Sequence, residues 1–173
     1  MAEIRIVAYG IPGPQGSKSV KGRRRNGSVI LVESSAKVKP WRAAVATAAA
    51  CVRPAAPLDG PLLVDMVFTM PRPASHYGTG RNAGRLKPRY EDALPDRVPD
   101  LSKLTRSTED ALTDAGLWAD DARVVRYGAL AKVYVDDPTD PDVLEAPGAV
   151  IRVRPFTVTA AAVLHTSHEG GLF

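Results

Sequence analysis

One stretch constrains the fold of this 173-residue chain more than any other: Pro99 to Val135, PDLSKLTRSTEDALTDAGLWADDARVVRYGALAKVYV. At 100° per residue, Leu101, Leu104, Thr108, Ala111, Leu112 and Ala115 fall on one helical face. Ser102, Arg106, Glu109, Asp110 and Thr113 fall on the other. Gly116 stands where a left-handed stop is expected, since glycine takes that conformation without a steric cost. Beyond it, Val125, Tyr127, Ala129, Ala131, Val133 and Val135 alternate with Arg126, Gly128, Leu130, Lys132 and Tyr134, the pattern of a half-buried strand.

The unit carries an acid at the helix start, Asp100, and two more at the turn into the strand, Asp120 and Asp121. Carboxylates and a cation in one unit suit a divalent-metal site, because a hard ion such as Mg²⁺ takes oxygen ligands and keeps several waters. Such an ion activates water and neutralises charge on a phosphoryl group. Two plainer readings stand beside this one. Asp100 could serve as a helix cap, and Asp120-Asp121 as a turn. The helix is about 22 Å long by its rise per residue, so the acids meet only if another part of the fold approaches its polar face.

Pro99-Asp100-Leu101, Lys103-Leu104, Arg106, Asp110-Ala111-Leu112, Ala115-Gly116, Trp118, Asp120-Asp121 and Val124-Val125 together resemble the signature of RusA-type Holliday junction resolvases. The close match covers about 37 residues, with weaker agreement in the first strand and the Pro/Gly/Lys segment after it. The resemblance implies a homodimeric, Mg²⁺-dependent endodeoxyribonuclease acting on four-way junctions, with Mn²⁺ as an alternative ion. It further implies roles in recombination, repair or replication, in bacteria or their phages. Asp100 and Asp121 carry over as metal ligands, Asp120 as their neighbour, and Arg106 as the essential cation of the site. The family usually has a second acid where this chain has Ser102, whose hydroxyl could hold a water in its place. Glu109 lies farther along the same face. A junction-binding module with little or no cleavage is the alternative that Ser102 leaves open.

Charge is divided along the chain. Residues 1–90 hold 15 Lys/Arg against 4 Asp/Glu, net +11, and residues 91–173 hold 8 against 15, net −7. A basic half beside an acidic half suits one part that tracks phosphates and another that holds metal. Aromatic residues make up 6%, too few for base stacking as the main binding mode. No apolar run approaches the roughly 18–20 residues of a membrane span. The segment MAEIRIVAYG lacks the features of a signal peptide and reads as a first strand, Ile4, Ile6 and Ala8 alternating with Arg5, Val7 and Tyr9. Cys51 is the single cysteine, which excludes an intramolecular disulfide and fits a reducing cytoplasm.

Between Gly10 and Ser28 the glycines and prolines predict a mobile loop without regular structure. Its Lys18, Lys21, Arg23, Arg24 and Arg25 are expected to lie on the DNA backbone, giving affinity without sequence information. Ser28–Val32 reads as a second strand paired with the first. Trp41–Val52 reads as an Ala-rich helix with Pro40 in its first turn. Lys37, Lys39 and Arg42 at its start could hold a phosphate. Pro61–Met70 reads as a strand that buries Leu62, Val64, Met66 and Phe68 and exposes Leu63, Asp65, Val67 and Thr69. Residues 71–99, with Arg72, Arg81, Arg85, Lys87 and Arg89, form a long irregular segment. It is read as a flap that orders on DNA; Arg72, Arg81, Arg85 and Lys103 join the DNA-binding set. His76 is not needed as a general base. The acidic 136–148 stretch reads as a surface loop, and Ala149–Val153 as the last strand. The whole is expected to be one α+β domain, residues 1–173, of about five strands and two main helices, with 156–173 as a loose tail carrying solvated His165 and His168.

Overall fold

Helix α2 (Leu101–Asp114) forms where the apolar spacing places it. Leu104, Thr108, Ala111 and Leu112 are buried, with Leu101 and Ala115 packed partly buried beside them. Gly116, at φ +69°, ends it. Its N–H bonds Thr113 O at 2.9 Å, and Leu117 N–H reaches back to Leu112 O at 3.1 Å, the two-bond closure that requires a left-handed residue. Strand β5 (Val124–Tyr134) then returns along the sheet. A computed structural model describes residues 3–16, 18–23, 29–33 and 36–158, with strand paths alone for 18–23 and 29–33.

The remaining elements are β1 (Ile4–Tyr9), β2 (Lys18–Arg23), β3 (Val29–Glu33), α1 (Val38–Val52), β4 (Leu62–Met70) and β6 (Gly148–Pro155). The main sheet has the order β1-β6-β4-β5. The pairs β1/β6 and β6/β4 are antiparallel, and β4/β5 is parallel because α2 provides the crossover between them. Both helices lie on one face. Trp41, Val45 and Ala49 of α1 and Leu104, Ala111 and Leu112 of α2 share one core with Ile6, Val64, Met66, Phe68 and Ile151. The helices are keyed together by a buried bond from Trp41 Nε1–H to Thr108 Oγ1 at 3.0 Å. The fold is α+β, as the sequence predicts.

Three expectations are corrected. The basic segment is no shapeless loop. Its first part is fixed to α2, through Ser107 Oγ–H to Gly13 O (2.6 Å) and Gln15 N–H to Lys103 O (2.9 Å). Gly13 has no room for a side chain, since a Cβ would stand 2.3 Å from Lys37 O. The second part forms β2, which supplies a sixth strand. Consequently β3 pairs with β2 in a separate two-stranded sheet, not with β1, whose edge is taken by β6. Finally, β4 is buried on both faces: Asp65, Val67 and Thr69 join Leu62, Val64, Met66 and Phe68. The second face is covered by the 136–147 segment and an ion-pair network. Thr69 Oγ1 accepts from Leu144 N–H at 3.0 Å. Asp65 accepts from Ala129 N–H at 2.6 Å and Arg154 Nη1 at 2.7 Å.

Phe156, read as part of a loose tail, is held by its N–H to Pro61 O at 2.8 Å and by Arg126 over its ring. His165 and His168 lie outside the described residues. Among the described residues, no helix is long and apolar enough to cross a membrane.

Candidate active site

Asp100 stands at the N-terminal boundary of α2 with extended backbone (φ −66°, ψ 136°), yet its side chain makes no capping bond. It turns instead to Lys103, one turn on, at 2.8 Å. The Lys103 hydrogen bond and charge, with a further contribution from Lys132, hold the Asp100 carboxyl below the usual carboxylate range. The acid is therefore exposed, ionised and aimed along the first turn. Lys132 of β5 also ties the incoming chain, donating to Arg97 O (2.9 Å) and Pro99 O (2.8 Å). Gln15 N–H bonds Lys103 O, so the hairpin bearing Lys18, Lys21 and Arg23 departs from this same turn. Arg24 and Arg25 lie outside the described residues.

A second group forms farther along α2. Glu109 and Tyr127 of β5 are joined by a short hydrogen bond, the Tyr127 hydroxyl donating to Glu109 Oε1. Burial raises the Glu109 carboxyl; the charges of Asp121 and Asp110 add to this, against the Tyr127 bond and Arg106. Tyr127 is pushed up by burial and by Glu109 and Asp121. The charge of Asp121, at the turn before β5, is thus felt at both Glu109 and Tyr127. Its neighbour Asp120 caps the turn Asp121–Arg123, accepting from Ala122 N–H at 2.8 Å. Arg106 is exposed on the polar face between the two groups. Among the described residues it makes no ion pair within 4 Å, which leaves its guanidinium available.

The donor set of Asp100, Asp120, Asp121 and Glu109 is all oxygen, the chemistry of a hard divalent cation. Among the described residues no three His, Cys, Asp or Glu side chains converge as a metal cluster. Such an ion would therefore take one or two carboxylates from the protein and complete its shell with water and phosphate oxygens, as Mg²⁺ commonly does.

The family model for endodeoxyribonuclease RusA matches residues 12–141, which include both groups. The chain belongs to the RusA endodeoxyribonuclease family. It is also similar to a Bacillus subtilis (strain 168) protein described as uncharacterized protein YqaN, 31% identical over 137 residues, covering 78% of this chain and 90% of that protein. RusA membership implies endonuclease activity and Holliday junction resolution at the level of the family.

Several residues read as DNA contacts are placed differently. Arg72 is a buried tie, its side chain 4% exposed. It donates to both Asp136 oxygens (2.6 and 2.8 Å) and to Tyr90 O (2.8 Å), and stacks over the Tyr134 ring. Arg42 pairs with Asp110 (3.2 Å) and Asp114 (2.6 Å) of α2, so it does not wait for a phosphate. Arg81 and Arg85 remain exposed. Residues 71–99 form three 3₁₀ turns with bridges Tyr77–Leu86 and Gly78–Ala83. Local bonds hold them, among them Gly78 N–H to Arg85 O (2.8 Å) and Lys87 N–H to His76 O (2.9 Å). Sequence reasoning missed Lys132 and Tyr127. The signal for both was present in β5, whose polar and aromatic residues could face α2 only once the parallel crossover was known.

Proposed function

We propose that this protein is a Mg²⁺-dependent, structure-specific endodeoxyribonuclease that resolves four-way DNA junctions by paired nicks, working as a homodimer. The observation that carries the reading is the exposure of Asp100, Arg106 and Asp121 on one α2–β5 unit, in a chain of the RusA family. Asp100 and Asp121 would supply the one or two protein carboxylates of the ion, with Asp120, which caps the turn beside Asp121, as their neighbour. When bound, the ion supplies water activation and charge neutralisation at the phosphoryl group. Lys103 holds the Asp100 carboxyl below the usual carboxylate range, so the acid stays ionised well below neutral pH. Arg106, free of ion pairs among the described residues, binds the scissile phosphate and offsets the charge that develops there; loss of such a group typically costs about 10²–10³ in rate. The basic hairpin and the exposed Arg81 and Arg85 hold the arms by their phosphates. Two-fold symmetry presents two equivalent sites to the two opposed strands that must be cut.

Ser102, exposed where the resemblance calls for an acid, together with the lack of a convergent acid trio among the described residues, favours one second reading: a module that binds junctions and barely cuts them. A labelled four-way junction with Mg²⁺ or Mn²⁺, beside linear duplex, decides. Paired metal-dependent nicks on the junction are the expected result. Tight junction binding without nicks would replace the nuclease by the binding module, and equal affinity for duplex would remove junction specificity altogether.

A further inference from the structure

The candidate site is divided between two elements. Asp100 and Arg106 go with α2, and Asp121 opens the turn that leads into β5. The first half of that strand has little packing to hold it, since residues 125–129 are exposed on both faces. β4 holds it along one edge, and the pairing is irregular twice, between Leu62 and Leu63 and between Val64 and Met66. Tyr127 lies between these irregularities, in register with the fully buried Val64, so its backbone has a firm base. Its hydroxyl reaches across to α2 and donates to Glu109 Oε1. Among the described residues this is the one hydrogen bond between side chains of α2 and β5. Glu109 stands one turn beyond Arg106 on the polar face of α2, and the charges of Arg106 and Asp121 are both felt there.

We propose that Tyr127 and Glu109 form a clasp that positions the turn bearing Asp121 against α2, so that the two parts of the site are set for the ion before DNA is bound. The proposal rests on the metal-dependent endonuclease reading and adds to it two positioning residues. An ion held by one or two protein carboxylates does little to choose among the arrangements of an exposed turn, and ordering that turn costs conformational entropy at the moment of binding. A hydrogen bond from a strand residue seated on β4 to the helix removes that freedom in advance. Glu109 serves the site through Tyr127, as an acceptor for its hydroxyl, and not as a ligand. The distinction is chemical. Glutamine in its place accepts the same hydrogen bond, whereas a hard cation bound to Glu109 itself would lose a charged oxygen ligand in that exchange.

The test uses the full chain and three variants. Tyr127→Phe deletes the hydroxyl and keeps the ring, Glu109→Ala removes the acceptor at the other end, and Glu109→Gln retains it. Mn²⁺ is titrated by calorimetry without DNA, amide exchange over residues 120–127 is followed in the metal-free protein, and single-turnover cleavage and metal-free affinity are measured on a four-way junction. Tyr127→Phe and Glu109→Ala are each expected to weaken Mn²⁺ binding and slow cleavage by about 10–100-fold, with junction affinity unchanged. Exchange over 120–127 should quicken in both. Glu109→Gln is expected to match the unaltered chain in every one of these readings. Thermal melting reports folding, and if one clasp-breaking variant fails to fold the other decides. Mn²⁺ affinity and exchange left unchanged by loss of the clasp would overturn the proposal. A loss in Glu109→Gln as large as in Glu109→Ala would also overturn it, making Glu109 a ligand. Mn²⁺ affinity that falls with the clasp in a chain that cuts no junction keeps the clasp and overturns the nuclease reading instead.

Discussion

Asp65 shows how one side chain shapes an element. In β4 its carboxylate, 11% exposed, fills the space left by Gly128, where a Cβ would stand 2.1 Å from Asp65 Oδ1. It takes Ala129 N–H at the irregularity between Val64 and Met66, and pairs with Arg154. Asp65→Ala leaves a buried donor unpaired and is expected to cost about 2–3 kcal/mol in urea unfolding; Asp65→Asn, which keeps an acceptor, recovers part of that. Glu109 gives a pH-dependent counterpart. Its folded pKa is raised, so its contribution favours the fold below the ordinary carboxylate range and is lost as pH rises through the folded value. Glu109→Gln, which still accepts from Tyr127, should therefore raise the melting temperature at pH 7, with the gain fading toward pH 4. A gain independent of pH would contradict that assignment.

At the scale of elements, α2 and its stop were legible because their signals agree, a helical apolar face and then a glycine at φ +69°; alternation marked β5 as a strand but not its burial, since residues 125–129 are exposed on both faces and only Val133 and Tyr134 are buried. Gly116→Ala forces a Cβ into the left-handed region and is expected to cost about 1 kcal/mol, read from thermal melting. Elements held by backbone alone were not legible. In the β2–β3 hairpin the apolar β3 was legible as a strand, but its partner β2 is Lys- and Gly-bearing sequence with no apolar alternation, and residues 71–99 are ordered by local amide bonds and the His76–Tyr90 stack. The second buried face of β4 was hidden because Asp65 and Thr69 look solvated until their partners, Ala129 and Leu144, are in place. In the candidate site, the acids and Arg106 could be named from spacing and resemblance. The Asp100–Lys103 pair and the nearness of Asp121 to Glu109 required side-chain placement and the parallel crossover.

Over the whole molecule, the basic N-terminal half meets the acidic unit at the first turn of α2, where the hairpin leaves the body. Phosphate contacts made by exposed arginines release counterions, so junction affinity should fall steeply with salt. Arg81→Ala and Arg85→Ala are each expected to reduce the slope of log affinity against log salt by about 1, measured by fluorescence anisotropy. Arg72→Ala, by contrast, should lower stability, because that side chain is buried against Asp136 and Tyr134. The central claim is that α2–β5 carries a metal-dependent site in which Asp100 and Asp121 act together. Its most direct test is single-turnover cleavage of a four-way junction in Mg²⁺ by the unaltered chain, Asp100→Asn and Asp121→Asn, with junction affinity measured in parallel without metal. Nicking that disappears in both variants while metal-free affinity is kept is the predicted result; nicking retained by either variant, or cleavage by the unaltered chain in the presence of EDTA, would contradict it.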